Sequence, residues 1–400
     1  MHYSLSSLPP AYASLDTNRL TLLHFLVHSL DLLRCPKLFS PAGAETREGI
    51  TGWILNCLVR PPAEPGEPQT AGFVGSTYMG AAFLPSAEAS LEAPPSAERG
   101  GPHIAMTYTA LLTLLALGFD LSLLPAREIL EGVSALQNLG GEMGGSFRSH
   151  HEGSESDMRF LYCAVCIDRA LWKAHSPGRP YGGSGYIRPD LIVGYVRRCS
   201  AYDGGLGLGP GLESHGGSYF TGLASLALMG RLGDLLDGGG RVERAVGWGV
   251  NRQIDGMQGR INKPPDTCYS YWVGGGLHLV EKFAKGSGMG AVPEDLLANG
   301  EVVGFVLECQ HPAFGGVGKL KGAPPDVLHT FYSLCYLSMS GGVAGLREVD
   351  VELGCSKRVG DMIRSDKSYA ELAREMKAEA EKEAEVEKEK EKEGGGGGAS

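Results

Sequence analysis

The chain has 400 residues with 42% hydrophobic content and a formal net charge of −10, and a chain of this size and composition can bury a large core. It contains no basic stripe that would indicate a nucleic-acid partner, and apolar stretches such as 110–117 are too short to span a bilayer. The nine cysteines are scattered and the N-terminal residues lack the pattern of a signal peptide, which together predict a cytoplasmic protein with reduced thiols.

Six apolar runs at helical spacing recur along the chain and predict an inner layer of helices. The first covers residues 18–33, and the other five begin near His103, Asp157, His215, Asp266 and Asp326. Each of these five follows a glycine-rich turn, directly or after a polar linker, and their starts lie 54, 58, 51 and 60 residues apart. Such a spacing is long enough for two helices and their connections.

More strongly charged stretches lie between the apolar runs and predict an outer layer of helices, at residues 187–199, 241–254 and 292–309. We therefore expect an all-α fold, an α/α toroid of about six helical hairpins with an inner and an outer ring around a central apolar cavity.

We assign residues 1–365 to this toroid domain. Loops 60–71 and 84–102, rich in Pro, Ala, Ser and Glu, are expected to be surface insertions. Residues 366–400, first rich in Glu and Lys and then in Gly, are expected to form a flexible tail.

Two related stretches, GMQGRINKPPDTCYSYW and KGAPPDVLHTFY, each place Pro-Pro-Asp before a helical run and predict a helix capped by the aspartate. They contribute Asp266, Cys268 and His329 to the ends of neighbouring inner helices. A carboxylate, a thiolate and an imidazole suit zinc, and three protein ligands leave a position for a substrate. The positive end of the helix dipole is expected to lower the pKa of the Cys268 thiol. Considered one at a time, Asp266 is more simply a helix cap, Cys268 a small core residue and His329 a buried histidine. The repeated Pro-Pro-Asp favours a metal ion shared by all three.

A cationic set is expected on the same rim, at the glycine-rich turns or the starts of inner helices: His215, Arg260, Lys263 and Lys319, with the phenol of Tyr269. Arginine and lysine at such positions would bind a diphosphate. The alternative is ordinary surface charge, the commoner role of isolated basic residues.

Aromatic residues at helical spacing, among them Phe25, Tyr162, Tyr271 and Trp272, predict an aromatic lining inside the ring, although such spacing more often marks a packed core. Cys163 and Cys166 form a CxxC within an apolar helical run. Without a second pair they are expected to pack in that helix rather than bind zinc.

Several motifs between about residue 14 and residue 360 resemble one family: SLDTNRLT, HIAMTYT, GSESDMRFLYCA, GLESHGGS, GRINKPPDTCYSYWVG and LHTFYSL. The chain resembles the β subunits of protein prenyltransferases, most closely those of protein geranylgeranyltransferase type I. The resemblance implies an α/α toroid whose catalytic zinc is held by Asp266, Cys268 and His329.

The same resemblance implies a binding site for a lipid diphosphate, a protein substrate and a partner subunit. The diphosphate pocket would be formed by His215, Arg260, Lys263 and Tyr269, and isoprenoid contacts would come from Arg159, Tyr162 and Trp272. It further implies geranylgeranyl diphosphate as the lipid substrate, proteins ending in a CaaX sequence, such as small GTPases, as acceptors, and an obligate α subunit that contributes a further lysine.

Two positions point to the subtype. Thr21, near Phe25 on the first inner helix, replaces a bulky tryptophan of farnesyltransferases and would leave room at the pocket floor for one more isoprene unit. Lys319 stands where related enzymes carry a magnesium-binding aspartate, so we expect turnover without added magnesium. Thr221 departs from the cysteine of the type I and farnesyl enzymes. The alternatives are a farnesyl or Rab-directed transferase β subunit and a non-catalytic toroidal binding module.

Overall fold

The computed structural model describes residues 10–60, 70–77, 101–150, 153–175, 183–288 and 299–378. In chain order its α-helices are α1 (Arg19–Leu32), α2 (Pro36–Phe39), α3 (Ala44–Leu55), α4 (Ile104–Ala116), α5 (Ala126–Ala135), α6 (Met158–His175), α7 (Pro189–Arg198), α8 (Gly216–Leu228), α9 (Gly233–Leu236), α10 (Arg241–Val250), α11 (Thr267–Gly286), α12 (Asn299–Glu308), α13 (Val327–Met339) and α14 (Lys357–Arg364).

The described residues also form short two-stranded antiparallel sheets. In chain order the strands are β1 (Leu58–Val59) with β2 (Gly72–Phe73), β3 (Phe147–Arg148) with β4 (Ser156–Asp157), and β5 (Val349–Asp350) with β6 (Cys355–Ser356). In the described part of the chain, no helix is long and apolar enough to cross a membrane.

Six helices form a closed inner ring, which confirms the predicted toroid. Helix α1 packs against α4, and the contacts continue through α6, α8, α11 and α13 back to α1. Helices α5, α7, α10 and α12 alternate with them along the chain, and α5 and α10 each pack against the inner helix that follows. Within the described residues, α7, α10 and α12 fall inside the three charged stretches predicted for the outer layer, whereas α5 was not predicted.

Each of the five later inner helices begins one residue after its predicted start, because the starting residue is a polar cap. The ring nitrogens of His103 and His215 and the carboxylates of Asp157, Asp266 and Asp326 each accept a backbone N–H from the first turn of the helix that follows, at distances of 2.8 to 3.1 Å. A side chain that satisfies a free N–H at the helix start stabilises that start, so the sequence signal and the structural boundary coincide.

Hydrogen bonds join each inner helix to the next repeat. A backbone N–H in the first or second residue of the helix donates to a carbonyl in the turn that precedes the next inner helix: Leu20 to Gly75, Ile104 to Ser149, Met158 to Leu208, Gly216 to Gly259, and Thr267 to Lys319. At the sixth junction the acceptor is a side chain, because the N–H of Val327 donates to the hydroxyl of Tyr12 at 3.2 Å. The N-terminal segment therefore closes the ring.

Residues 347–369 cross the end of the ring where the inner helices finish. Three inner-helix tyrosines donate hydrogen bonds to consecutive carbonyls of this segment: Tyr108 to Leu353 at 3.3 Å, Tyr162 to Glu352 at 2.9 Å and Tyr271 to Val351 at 2.9 Å. We call this the closed end. The opposite end, where the inner helices begin, is the open end.

An aromatic belt runs around the inside of the ring, at the second turn of the inner helices. Each inner helix contributes at least one ring, and neighbouring ring centroids lie 5.0 to 5.8 Å apart along the series His24, Tyr108, Tyr162, Phe220, Tyr271, Tyr332, Phe331 and back to His24. Most of these contacts are tilted or edge-to-face, the geometry that aromatic quadrupoles favour.

Packed structure continues beyond the predicted domain boundary at residue 365. The buried hydroxyl of Tyr369 donates to the carbonyl of Ala170 at 2.6 Å, and Leu372 and Met376 pack against the core. The boundary is therefore wrong, because these apolar side chains cover the ends of the inner helices. The prediction for residues 379–400 lies outside the described residues, as do 61–69 and 78–100 of the predicted insertions. Ala71, at the end of the first insertion, is buried rather than on the surface.

Candidate metal centre

Asp266, Cys268 and His329 converge at the open end, where α11 and α13 begin side by side. Their ligand atoms all lie within 4.8 Å of one another. Asp266 caps α11 by accepting the N–H of Cys268 at 3.0 Å, and its Oδ1 lies 3.2 Å from His329 Nε2. Asp266 and Cys268 are buried, and the side chain of His329 is 15% exposed. An oxygen, a sulfur and a nitrogen in this arrangement fit a zinc ion with a further position for a substrate.

The acid–base properties of the triad depend on these contacts. Burial, reinforced by the neighbouring Asp266, raises the pKa of the Cys268 thiol well above its usual value, so the lowering expected from the helix dipole is wrong. Burial alone would raise the pKa of Asp266, but hydrogen bonds from His329 and Cys268 outweigh it and lower the pKa. Burial would lower the pKa of His329, yet hydrogen bonds to Asp266 and Asp326 raise it to about 9. A cation among these atoms would favour the thiolate, which is the form that binds metal.

Asp326 is a functional candidate that the sequence identified only as a cap. One of its carboxylate oxygens accepts the backbone N–H of His329 at 2.9 Å, and the other lies 2.5 Å from Nδ1 of the same residue. The signal was the second Pro-Pro-Asp, but no sequence pattern shows that its second oxygen reaches an imidazole.

Lys319 lies beside the triad as predicted. Its carbonyl accepts the N–H of Thr267, and the Thr267 hydroxyl donates to the carbonyl of Gly318 at 2.9 Å. These two hydrogen bonds hold the turn of the next repeat against the start of α11. The Lys319 ammonium, 55% exposed, then lies 3.6 Å from Asp266 Oδ2.

The predicted diphosphate residues form a partial cluster. The hydroxyl of Tyr269 and Nε2 of His215 share a hydrogen bond of 2.9 Å, and burial followed by nearby Arg260 lowers the pKa of His215. Arg260 itself is paired with Glu213 at 3.1 Å on the surface. Lys263 is exposed, and its backbone N–H donates to the carbonyl of Arg260 in the same turn.

The predicted lipid contacts divide between the belt and the rim. Trp272 lies 4.2 Å from Tyr332 and 5.2 Å from Phe220 between ring centroids, and Phe25 lies 5.6 Å from Tyr332. Tyr162 belongs to the belt. Sequence reasoning missed Tyr332, Phe220 and Tyr108, although an aromatic side chain at the same level of successive inner helices was a usable signal.

Thr21 and Arg159 lie nearer the open end. The Thr21 hydroxyl donates to Met106 Sδ at 3.4 Å, and Thr21 precedes His24 of the belt by one helical turn. Thr21 therefore lies about one helical turn from the belt, and its place at the pocket floor stays a prediction. Arg159 is held by Asp157 at 2.7 Å and by Glu155 at 3.1 Å.

Comparisons with known proteins agree with this architecture. The model of the family "Prenyltransferase alpha-alpha toroid domain" matches residues 1–355. The chain is 31% identical over 359 residues to the geranylgeranyl transferase type-1 subunit beta of Dictyostelium discoideum, covering 89% of this chain and 92% of that protein. It is 32% identical over 354 residues to the subunit of the same name from Arabidopsis thaliana, covering 85% of this chain and 82% of that protein.

A solved structure shares the fold. It is that of Candida albicans protein geranylgeranyltransferase-I complexed with GGPP, which superposes with a TM-score of 0.71 at 20% identity and covers 91% of this chain and 96% of that chain.

Proposed function

We propose that this chain, which belongs to the prenyltransferase α/α toroid family, is the catalytic β subunit of a zinc-dependent protein geranylgeranyltransferase type I. It would transfer a geranylgeranyl group from geranylgeranyl diphosphate to the cysteine thiol of a C-terminal CaaX sequence, in which X is often leucine. The observation that carries the proposal is the convergence of Asp266, Cys268 and His329 within 4.8 Å, at the rim of a ring lined with aromatic side chains.

Asp266, Cys268 and His329 would hold the zinc. When bound, zinc would supply the positive charge that keeps the substrate thiol as a thiolate near neutral pH. The triad lies at the start of α11 and α13, beside the partly exposed aromatic rings of Trp272 and Tyr332. A thiol brought to the rim would therefore meet the reactive end of a lipid whose chain lies inside the ring.

During the proposed transfer, negative charge develops on the leaving diphosphate at this rim. The bond between the allylic carbon and the bridging diphosphate oxygen breaks, a bond from that carbon to the substrate sulfur forms, and diphosphate leaves with the bonding electron pair. The Tyr269 hydroxyl and the His215 imidazole, already paired at 2.9 Å, would donate to the leaving oxygens together with Arg260 and Lys263. Such donors accelerate the reaction because they bind the developing charge more tightly than the ground state.

Lys319 would take the place of a magnesium ion. Its ammonium lies on the rim, 3.6 Å from the buried Asp266, and is 55% exposed, so a diphosphate arriving at the rim can reach it. A lysine is a compact charge for phosphate oxygens. Turnover would then need no added magnesium.

The ring interior would select the length of the lipid. Trp272, Tyr162 and Phe25 line the interior, and the belt with residues 351–353 limits its depth. Arg159 lies above them at the rim. Thr21, a small residue on the wall, leaves volume that a tryptophan would fill.

The chain would act with a partner subunit in the cytoplasm. The two relatives reported above are named as β subunits, which supports an α subunit that completes the diphosphate and protein sites. The protein substrates would be CaaX-terminated proteins such as small GTPases.

Lipid choice and metal content test this function. The chain co-purified with an α subunit should contain one zinc per β subunit, prefer geranylgeranyl over farnesyl diphosphate with a peptide ending in Leu, and keep its rate when magnesium is omitted. Preference for farnesyl diphosphate would support the farnesyltransferase alternative. A preparation without zinc or transfer would support the non-catalytic module instead.

Thr21→Trp tests the length selection. The added ring should shift preference toward farnesyl diphosphate by reducing the volume for the fourth isoprene unit. Thr21→Ser, which keeps the small volume and the hydroxyl, is the matched control and should keep the original preference. An unchanged preference in Thr21→Trp would remove Thr21 from the lipid wall.

A further inference from the structure

We infer that Asp326 is a positioning residue that orients His329 as a metal ligand, an inference that rests on the proposed zinc centre. Asp326 makes two separate contacts with the same residue: one oxygen accepts the His329 backbone N–H at 2.9 Å, and the other lies 2.5 Å from the imidazole Nδ1. The carboxylate therefore restrains both the backbone and the ring of His329.

This arrangement selects the nitrogen that can bind a metal. When Nδ1–H donates to Asp326, the lone pair of the neutral imidazole lies on Nε2. Nε2 is the nitrogen that faces the triad, 3.2 Å from Asp266 Oδ1. A carboxylate behind a ligating histidine holds the ring in place and makes the ligating nitrogen more basic.

Asp326 acts through His329 rather than as a fourth ligand. The oxygen that caps the helix and the oxygen that holds the ring are both engaged, and Asp326 is not among the residues whose ligand atoms cluster within 4.8 Å. The Asp326 side chain is 35% exposed, whereas that of Asp266 is only 9% exposed, which places Asp326 on the outer side of the centre.

Asp157 provides a matched comparison at another inner helix. Its Oδ1 accepts the backbone N–H of Arg159 at 2.8 Å, and its Oδ2 lies 2.7 Å from the Arg159 guanidinium. Asp157 and Asp326 thus share one geometry: each caps a helix and holds the side chain of a residue in the first turn. Only the residue held by Asp326 belongs to the triad.

Asparagine variants separate the two roles of the carboxylate. In Asp326→Asn one amide oxygen can still cap α13, but a single oxygen cannot also accept from Nδ1–H at its separate position. We expect zinc affinity of the full chain, measured by competition with a chromophoric chelator, to fall by about 10- to 100-fold, the usual effect of losing such a partner. Asp157→Asn should leave zinc affinity unchanged.

A second probe reports on the ligand itself. Cobalt(II) bound to the full chain should give visible absorption whose bands shift or weaken in Asp326→Asn, because the orientation of the imidazole changes. Asp326→Ser, which caps a helix but cannot reach Nδ1, should reproduce the loss if the asparagine variant folds poorly.

Different results would exclude the positioning role of Asp326 and the metal centre itself. Wild-type affinity and spectra in both Asp326 variants would overturn the positioning role. An equal loss of affinity in Asp157→Asn would also overturn it, because the effect would then not be specific to the carboxylate that contacts His329. A wild-type chain that binds neither zinc nor cobalt would overturn the metal centre itself.

Discussion

The two ends of the inner ring are built from opposite kinds of interaction. At the open end, the cationic side chains stay near solvent: that of Lys319 is 55% exposed and that of Arg260 is 44% exposed. At the closed end, Asp31 is fully buried and lies 3.0 Å from Arg358 and 3.3 Å from Arg347. Exposed charges contribute little to stability but remain available to a ligand, whereas a buried carboxylate must keep its partners.

The polarity of the helices explains the difference. Inner helices begin at the open end, where free N–H groups and the positive end of the dipole favour anions such as carboxylates and diphosphate. They finish at the closed end, where free carbonyls need donors. Arg358 donates to the carbonyl of Ala116 at the end of α4, and the N–H of Arg347 donates to that of Leu32 at the end of α1. The open end should therefore govern metal binding, and the closed end should govern stability.

Cys268→Ala should have the largest functional effect, and it should act at the open end without destabilising the closed end. Removing the only sulfur of the triad should abolish zinc retention and lipid transfer, while helical content by circular dichroism stays close to that of the wild type. Cys199→Ala, a buried cysteine at the end of an outer helix, is the control and should keep zinc. Full transfer activity in Cys268→Ala would exclude the metal assignment.

Asp31→Ala should produce the largest loss of stability. It leaves the guanidinium groups of Arg347 and Arg358 without their shared carboxylate, and breaking a buried pair costs about 3 to 5 kcal/mol in the free energy of unfolding. Urea unfolding measures the effect. Asp234→Ala is the control, because Asp234 also pairs with two arginines but is 32% exposed, and its loss should cost about 1 kcal/mol or less. Equal losses of unfolding free energy in the two variants would show that the buried Asp31 contributes no more to stability than the partly exposed Asp234.

His28 should make the closed end sensitive to acid. Burial, together with nearby Arg358, lowers the pKa of His28 to about 3. Between pH 6.5 and pH 3 the unfolded chain binds a proton that the folded chain does not, so this residue lowers stability as pH falls below about 6.5. In His28→Leu that contribution is absent. The stability of the variant relative to the wild type should therefore rise by about 2 kcal/mol between pH 7.5 and pH 5.

Chemical denaturation at the two pH values checks this difference, and each protein serves as its own reference at pH 7.5. A difference that stays constant with pH would show that His28 does not titrate between the folded and unfolded states.

Tyr12→Phe should have the smallest effect, at the junction that closes the ring. The N–H of Val327 loses its acceptor, which should cost about 1 kcal/mol and speed hydrogen exchange at that amide. Because the neighbouring Asp326 keeps its hold on His329, zinc affinity should fall less than in Asp326→Asn. Unchanged exchange at Val327 would show that the hydroxyl does not close the ring.

Much of the fold and of the site could be predicted because the signals are local. Apolar periodicity marked the six inner helices, and polar residues such as His215 and Asp266 marked where they begin, since a cap must lie next to the N–H groups it satisfies. Repetition of Pro-Pro-Asp then placed Cys268 and His329 in the first turn of neighbouring inner helices, and this was enough to predict that they converge.

The period, the helix starts and the residue types of the metal centre could be predicted from local sequence, because they depend on neighbours within a few positions. Long-range packing determines that Tyr12 closes the ring 315 residues away from Val327, and that Tyr108, 245 residues before Leu353, helps to close one end. It also determines that the pKa of Cys268 is raised, because burial depends on the packing of the whole ring and outweighs the local helix dipole.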